Sequence, residues 1–142
     1  MNSLSTQRDV NAGFPGYLAR LAAGLMVAVA VAGCVAMSPP TAEEVVKERA
    51  QARWDALVKG DSRAAYAFLS PGSRAVLTPE SYATSIRVGF WKSAQVNRVV
   101  CETQQACEAH VTIEYEFQAQ RIKTPLRETW IREGTDWWYL LK

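Results

Sequence analysis

The chain has 142 residues, with 16 lysines and arginines against 14 aspartates and glutamates, a formal charge of +2, and 49% hydrophobic residues. That length holds one small domain with its own core and leaves little room for a second. So even a charge balance gives no electrostatic reason to expect nucleic acid, and it argues against a strongly cationic membrane-binding surface.

The first feature in chain order is an uncharged apolar run from Leu21 to Gly33. It is short for a helix crossing a hydrocarbon core, which takes roughly 20 residues. It fits the apolar segment of a secretory signal, typically about 7–15 residues, with Arg8 and Arg20 before it and Asp9 as the only acid. The run closes in Val31-Ala32-Gly33-Cys34. An aliphatic residue, two small residues and a cysteine at this place resemble the lipobox of bacterial lipoproteins.

That resemblance implies a signal peptide over residues 1–33 and a diacylglyceryl group on the Cys34 sulfur. Cleavage would make Cys34 the first mature residue, with a further acyl chain on its amine. Several acyl chains anchor stably where one does not, at about 0.8 kcal/mol per buried CH₂. Val35 follows the cysteine where an aspartate would resemble an inner-membrane retention signal. The resemblance therefore implies the outer membrane, facing the periplasm. An uncleaved membrane helix over Tyr17 to Met37 is the alternative. Without the leader's two arginines and one aspartate, the remaining residues 34–142 carry a charge of about +1.

Residues 34–41 read as a lipidated tether, with Pro39-Pro40 favouring an extended spacer. The domain would then be residues 42–142. Thr41 is placed to cap a helix, and Thr41-x-x-Glu44 matches a capping box. The helix is expected from Ala42 to about Lys59, with Val46, Ala50, Trp54, Leu57 and Val58 on one face and Gly60 as its stop. Lys47, Glu48, Arg49, Gln51 and Asp55 cover much of the remainder. A second, shorter helix follows Asp61 and contains Ala64 to Leu69, ended by Ser70-Pro-Gly-Ser73. Thr78-Pro79 starts a third, reaching about Val88.

After Phe90-Trp91 the hydrophobic period falls to two. Val96 to Cys101 and Cys107 to Phe117 are expected strands, the second alternating Val111, Ile113, Tyr115 and Phe117 with polar residues. Gln120 to Pro125 reads as a polar loop, Leu126 to Glu133 as a third strand, and Trp137 to Leu141 as a fourth. If the first two strands pair, Cys101 and Cys107 face each other across a short hairpin, within disulfide reach. The oxidising periplasm implied by the lipobox would keep them bonded. A metal reading needs His110 as well and stops at three ligands, where a structural zinc takes four.

Three helices packed on a curved four-stranded antiparallel sheet make an α+β fold. Arg53-Trp-Asp-Ala-Leu57, Gly60-Asp61, Ala65-Tyr-Ala-Phe-Leu-Ser70, Glu128-Thr-Trp-Ile131 and Trp137-Trp-Tyr139 together resemble the nuclear-transport-factor-2-like superfamily. The resemblance covers roughly Ala42 to Lys142 and implies a cone, a sheet curled around the long first helix.

That superfamily includes isomerases, cyclases and dehydratases beside many non-enzymatic binding domains. Acid–base work inside a cone needs a group tuned by burial. The candidates are Asp55, Tyr66, Tyr82, His110 and Tyr115. Asp55 and His110 fall on polar faces, and Tyr66 and Tyr115 suit a core with a hydrogen-bonded hydroxyl. No phosphate loop, dinucleotide fingerprint or serine nucleophile elbow is present. Trp54, Tyr66, Tyr115, Trp130, Trp137 and Trp138 are the candidates for a pocket or partner surface. Trp137 and Trp138 must point to opposite sides of one strand.

The expectation is a non-enzymatic envelope lipoprotein. It would need no cofactor beyond its lipid chains, and its partners would be the membrane and an envelope protein or small apolar ligand. An isomerase- or dehydratase-type enzyme with a pocket inside the cone is one alternative. A secretion-system assembly subunit with an uncleaved N-terminal helix is another.

Overall fold

The computed structural model describes residues 38–142. The apolar leader, the Val31–Cys34 motif and the first half of the tether lie outside the described residues. Four helices precede four strands: α1 (Ala42–Val58), α2 (Ser62–Tyr66), α3 (Pro71–Val76), α4 (Pro79–Ser85), β1 (Trp91–Thr103), β2 (Ala106–Phe117), β3 (Gln120–Glu133) and β4 (Asp136–Leu140).

The start of α1 is set by its capping box. The Thr41 hydroxyl accepts from the Glu44 N–H at 3.2 Å, and the Glu44 carboxylate accepts from the Thr41 N–H at 2.8 Å. Gly60, at φ 81°, lets the chain leave the helix in a left-handed conformation that costs other residues about 1 kcal/mol or more. α4 begins at Pro79 under a Thr78 cap, as expected, but ends at Ser85.

Ser70-Pro-Gly-Ser73 does not simply end α2. Ser70 caps a further helix, α3, its hydroxyl accepting from the Ser73 N–H with Pro71 at the first helical position. The expected three helices are therefore four. Ser-Pro is itself a start signal, because proline's missing N–H is one the first turn leaves unpaired anyway.

The strands pair consecutively in an all-antiparallel sheet ordered β1-β2-β3-β4. β1 starts at Trp91, earlier than the valine pattern suggested, and shifts register at three points, which bend and twist a strand. The expected loop Gln120–Pro125 is instead the first half of β3, paired with Thr112–Phe117. β4 pairs only with Thr129–Glu133, so Pro125 sits where β3 is an edge and proline is tolerated. The β2–β3 connection is the two residues Gln118 and Ala119, both left-handed at φ 50° and 60° as a type I′ turn requires. Without Asn or Gly there, the turn gave no sequence signal.

Both sheet edges are covered where the core needs it. The Gln51 carboxamide acts as a short extra strand on β1, donating to the Ala94 carbonyl at 3.0 Å and accepting from the Val96 N–H at 2.9 Å. Phe68 and Ser70 exchange 2.8 Å backbone hydrogen bonds with Tyr139 at the β4 edge. The core lies between α1 and the sheet. Val46, Ala50, Trp54 and Leu57 meet Ala109, Val111 and Ile113 of β2, Trp130 of β3 and Trp137 of β4.

Cys101 and Cys107 are direct cross-strand partners at disulfide distance, with Cα atoms 3.9 Å apart. Loop-closure entropy for so short a loop amounts to about 2 kcal/mol. Cys101→Ser should lower the denaturation free energy by about that much. Unchanged stability in the non-reduced protein would show that the bond does not restrain the unfolded chain.

Candidate functional site

Two places merit a functional reading: the polar cluster under α1, and an aromatic cup at the far end of the β2–β3 hairpin.

The first is built from α1, α4, β3 and β4. Arg53 follows Ala50 by three residues and precedes Leu57 by four, so α1 carries it into the core. Glu128 alternates with Leu126 and Trp130 and points inward from β3. Each is 3% exposed. The Arg53 Nη1 donates to Glu128 Oε1 at 2.6 Å, and Nη2 donates to the Tyr82 hydroxyl at 3.1 Å. Trp54 Nε1 donates to the same Glu128 oxygen at 2.8 Å, and Trp130 Nε1 donates to the other at 3.3 Å. The Arg53 guanidinium also stacks on Tyr139, 3.9 Å from the ring centroid.

Burial pushes the Glu128 carboxyl above the ordinary carboxylate range, while Arg53 and the indole N–H groups draw it back. Burial likewise raises the Tyr82 and Tyr139 phenols, with Arg53 opposing. Burial works against the Arg53 charge, but Glu128, Tyr82 and Tyr139 together outweigh it and the guanidinium stays a cation. Chemically the cluster holds a carboxyl and a phenol bridged by one guanidinium. Sterically it is sealed, because Trp54 and Trp130 close over the carboxyl that a substrate would have to reach.

The second place is open. Trp91 is the β1 partner of Tyr115 on β2. Phe90 stacks on Tyr115 at 4.9 Å, and Trp91 stands edge-on to both, at 5.0 Å from Phe90 and 6.1 Å from Tyr115. The Trp91 indole is fixed by donating to the Ile86 carbonyl at 2.9 Å. With Ile113, Phe117, Ile122 and Arg87 these rings line a cavity of about 390 Å³. Phe117 stands at the rim, 56% exposed.

Among the described residues, three non-glycine residues have left-handed backbone: Arg87, Gln118 and Ala119. Arg87 lines the cup, and the other two follow Phe117 directly.

The sequence candidates divide between these places. Trp54 and Trp130 meet at Glu128. Tyr66 stands beside Tyr82, ring centroids 5.7 Å apart, and its hydroxyl donates to the Leu77 carbonyl at 2.7 Å, so it is held as structure. Tyr115 is in the cup. Trp137 is buried, whereas Trp138 is half-buried with Arg49 and Arg74 laid on its ring at 5.3 and 5.0 Å. Asp55 is exposed, and His110 pairs with Glu108 at 2.9 Å, on the polar side of β2.

Of the acid–base candidates read from the sequence, Tyr82 is buried in the first cluster, but the sequence reading offers no buried acid–base pair. Arg53 and Glu128 correct it, and their positions within the inward periodicities of α1 and β3 were the available signal. Among the described residues no group of three His, Cys, Asp or Glu side chains could hold a metal ion. No described helix is long and apolar enough to cross a membrane.

No protein-family model matches the sequence, and no curated protein matches it significantly. Solved structures do. A SEC-C motif containing protein from Psychrobacter arcticus aligns with TM-score 0.57 and 10% identity, covering 72% of this chain. The aligned part is 62% of that protein, less than two thirds of its length. A SEC-C motif containing protein from Rhodopseudomonas palustris aligns with TM-score 0.51 and 10% identity, over 63% of this chain and 70% of the other. A protein from Campylobacter jejuni named as an NTF2-like transpeptidase aligns at 0.49 and 14% identity, over 68% of this chain and 98% of its own. At these identities the first two show a shared fold and nothing about activity.

Proposed function

We propose that this chain is a bacterial envelope lipoprotein, fastened through Cys34 to the outer membrane on its periplasmic side. Its domain is a non-enzymatic binding module of the nuclear-transport-factor-2-like cone type. The observation that carries the binding reading is the contrast between the two places described above. The tuned carboxyl is sealed beneath two indoles, while an apolar cup stands open at the hairpin end. An isomerase or dehydratase would need the reverse, a reachable acid or base. The element order of helices followed by an antiparallel sheet supports the cone, and the Val31–Cys34 motif supports the anchor.

The anchor is tested by intact-mass analysis of the chain expressed with its full leader in a diderm bacterium. The expected species begins at Cys34 and carries the mass of a diacylglyceryl group and an N-acyl chain. A species that retains Met1 in the membrane fraction overturns the anchor and favours the secretion-subunit alternative.

A further inference from the structure

The cup's lining is aromatic and aliphatic and carries one charged side chain. Arg87 is exposed at the rim, and its guanidinium carbon stands 5.8 Å from the Phe90 ring centroid. A guanidinium laid on an aromatic face keeps its in-plane N–H donors free for an oxyanion. Among the described residues no carboxylate lies within ion-pair distance of it. Glu114, one residue before Tyr115, is already engaged by Arg121 at 3.2 Å and Lys123 at 3.8 Å, and it points away from the cup along the strand's alternation. The backbone at Arg87 is left-handed, at φ 51°, a conformation that favours glycine, and an arginine stands there nonetheless.

Resting on the reading of the cup as a binding site, we propose that its ligand is a small carboxylic acid with a flat apolar body. The carboxylate is held by the Arg87 guanidinium, and the body lies against Trp91 and Tyr115. The cavity of about 390 Å³ is at the small end of ligand pockets, which run about 300–1,000 Å³, and it suits a two-ring body. Charge complementarity selects the acid over its neutral analogue, because a charge-assisted bidentate hydrogen bond is roughly twice as strong as a neutral one.

The test uses the full chain in lipid nanodiscs, with 2-naphthoate and its neutral isostere 2-naphthamide as probes. Binding is read from the Trp91 indole N–H resonance. The wild type should bind the acid about tenfold more tightly than the amide. Arg87→Gly, which suits the left-handed backbone and should fold at least as well, should abolish that preference, weakening the acid more than the amide. Arg87→Glu should reverse it. Equal binding of acid and amide, unaltered in both variants, overturns the carboxylate assignment while leaving the cup as a binding site. No shift of the Trp91 resonance with either probe overturns the cup itself, and the assignment with it.

Discussion

Arg53→Met should destabilise the domain by about 3 kcal/mol and Glu128→Leu by about 5 kcal/mol, measured by urea denaturation at neutral pH. The order follows from who is left without a partner. Removing Arg53 leaves Glu128 with the Trp54 and Trp130 indole N–H groups still donating to it. A carboxyl stranded without its cation can also take up a proton, which limits the loss. Removing Glu128 leaves the buried Arg53 cation with only the neutral Tyr82 hydroxyl and the Tyr139 ring and unpairs both indole donors, and an arginine cannot shed its charge.

Replacing both residues should therefore not restore wild-type stability, although exchanging a buried ion pair for apolar groups is often neutral elsewhere. The two indole donors still lack an acceptor in the double variant. The Arg53→Met shortfall should also depend on pH. Arg53 lowers the Glu128 carboxyl, so removing it raises the folded-state value further above the unfolded 4.5. A carboxyl raised in the folded state contributes stability below the unfolded value and loses it as pH rises through the folded one. The shortfall should be smallest at pH 4.5 or below and widen toward neutral pH. A pH-independent shortfall, or a milder effect of Glu128→Leu than of Arg53→Met, would falsify this account of the cluster.

What the sequence made legible were features encoded within a few residues. The Thr41–Glu44 box, the Thr78-Pro79 start and the alternation from Val111 all act over neighbours in the chain; the box and the start lie where the pattern put them, and the alternation is buried as far as Ile113, with Phe117 exposed. The Cys101–Cys107 pairing is equally local. Features made by distant residues were not legible. Arg53 and Glu128 are 75 positions apart, and a charged residue on either element reads as solvated until the partner's burial is known.

The cup depends on register. Phe90-Trp91 becomes part of a site only because β1 pairs Trp91 with Tyr115 and because Gln118-Ala119 turns β3 back alongside β2. Two local rules misled as well. Polar residues ending in proline suggested a loop over Gln120–Pro125, which the short β4 allows to be an edge strand. Ser70-Pro-Gly is a stop signal for the helix before it, and its first two residues also begin a helix.

Trp130→Ala should cost about 4 kcal/mol, and Trp138→Ala about 1 kcal/mol, although the two residues sit on adjacent strands. Trp130 has no exposed surface and stands between Cys107 on one side and Tyr139 on the other, in register with both. Its ring packs on Tyr139 at 6.0 Å, and its N–H satisfies the second Glu128 oxygen. The alanine variant thus opens a cavity in the middle of the sheet and unpairs a buried acceptor, two costs that add. Trp130→Phe should fall between, since it refills most of the volume and leaves only the acceptor unpaired. Trp138 is half-buried, and its ring contacts include two guanidinium groups that water can solvate in its absence. Chemical denaturation of the three variants reads the ordering directly. Equal losses for the two alanine variants would mean that Trp138 is as much a part of the core as Trp130, and that Arg49 and Arg74 do not stand between its ring and solvent.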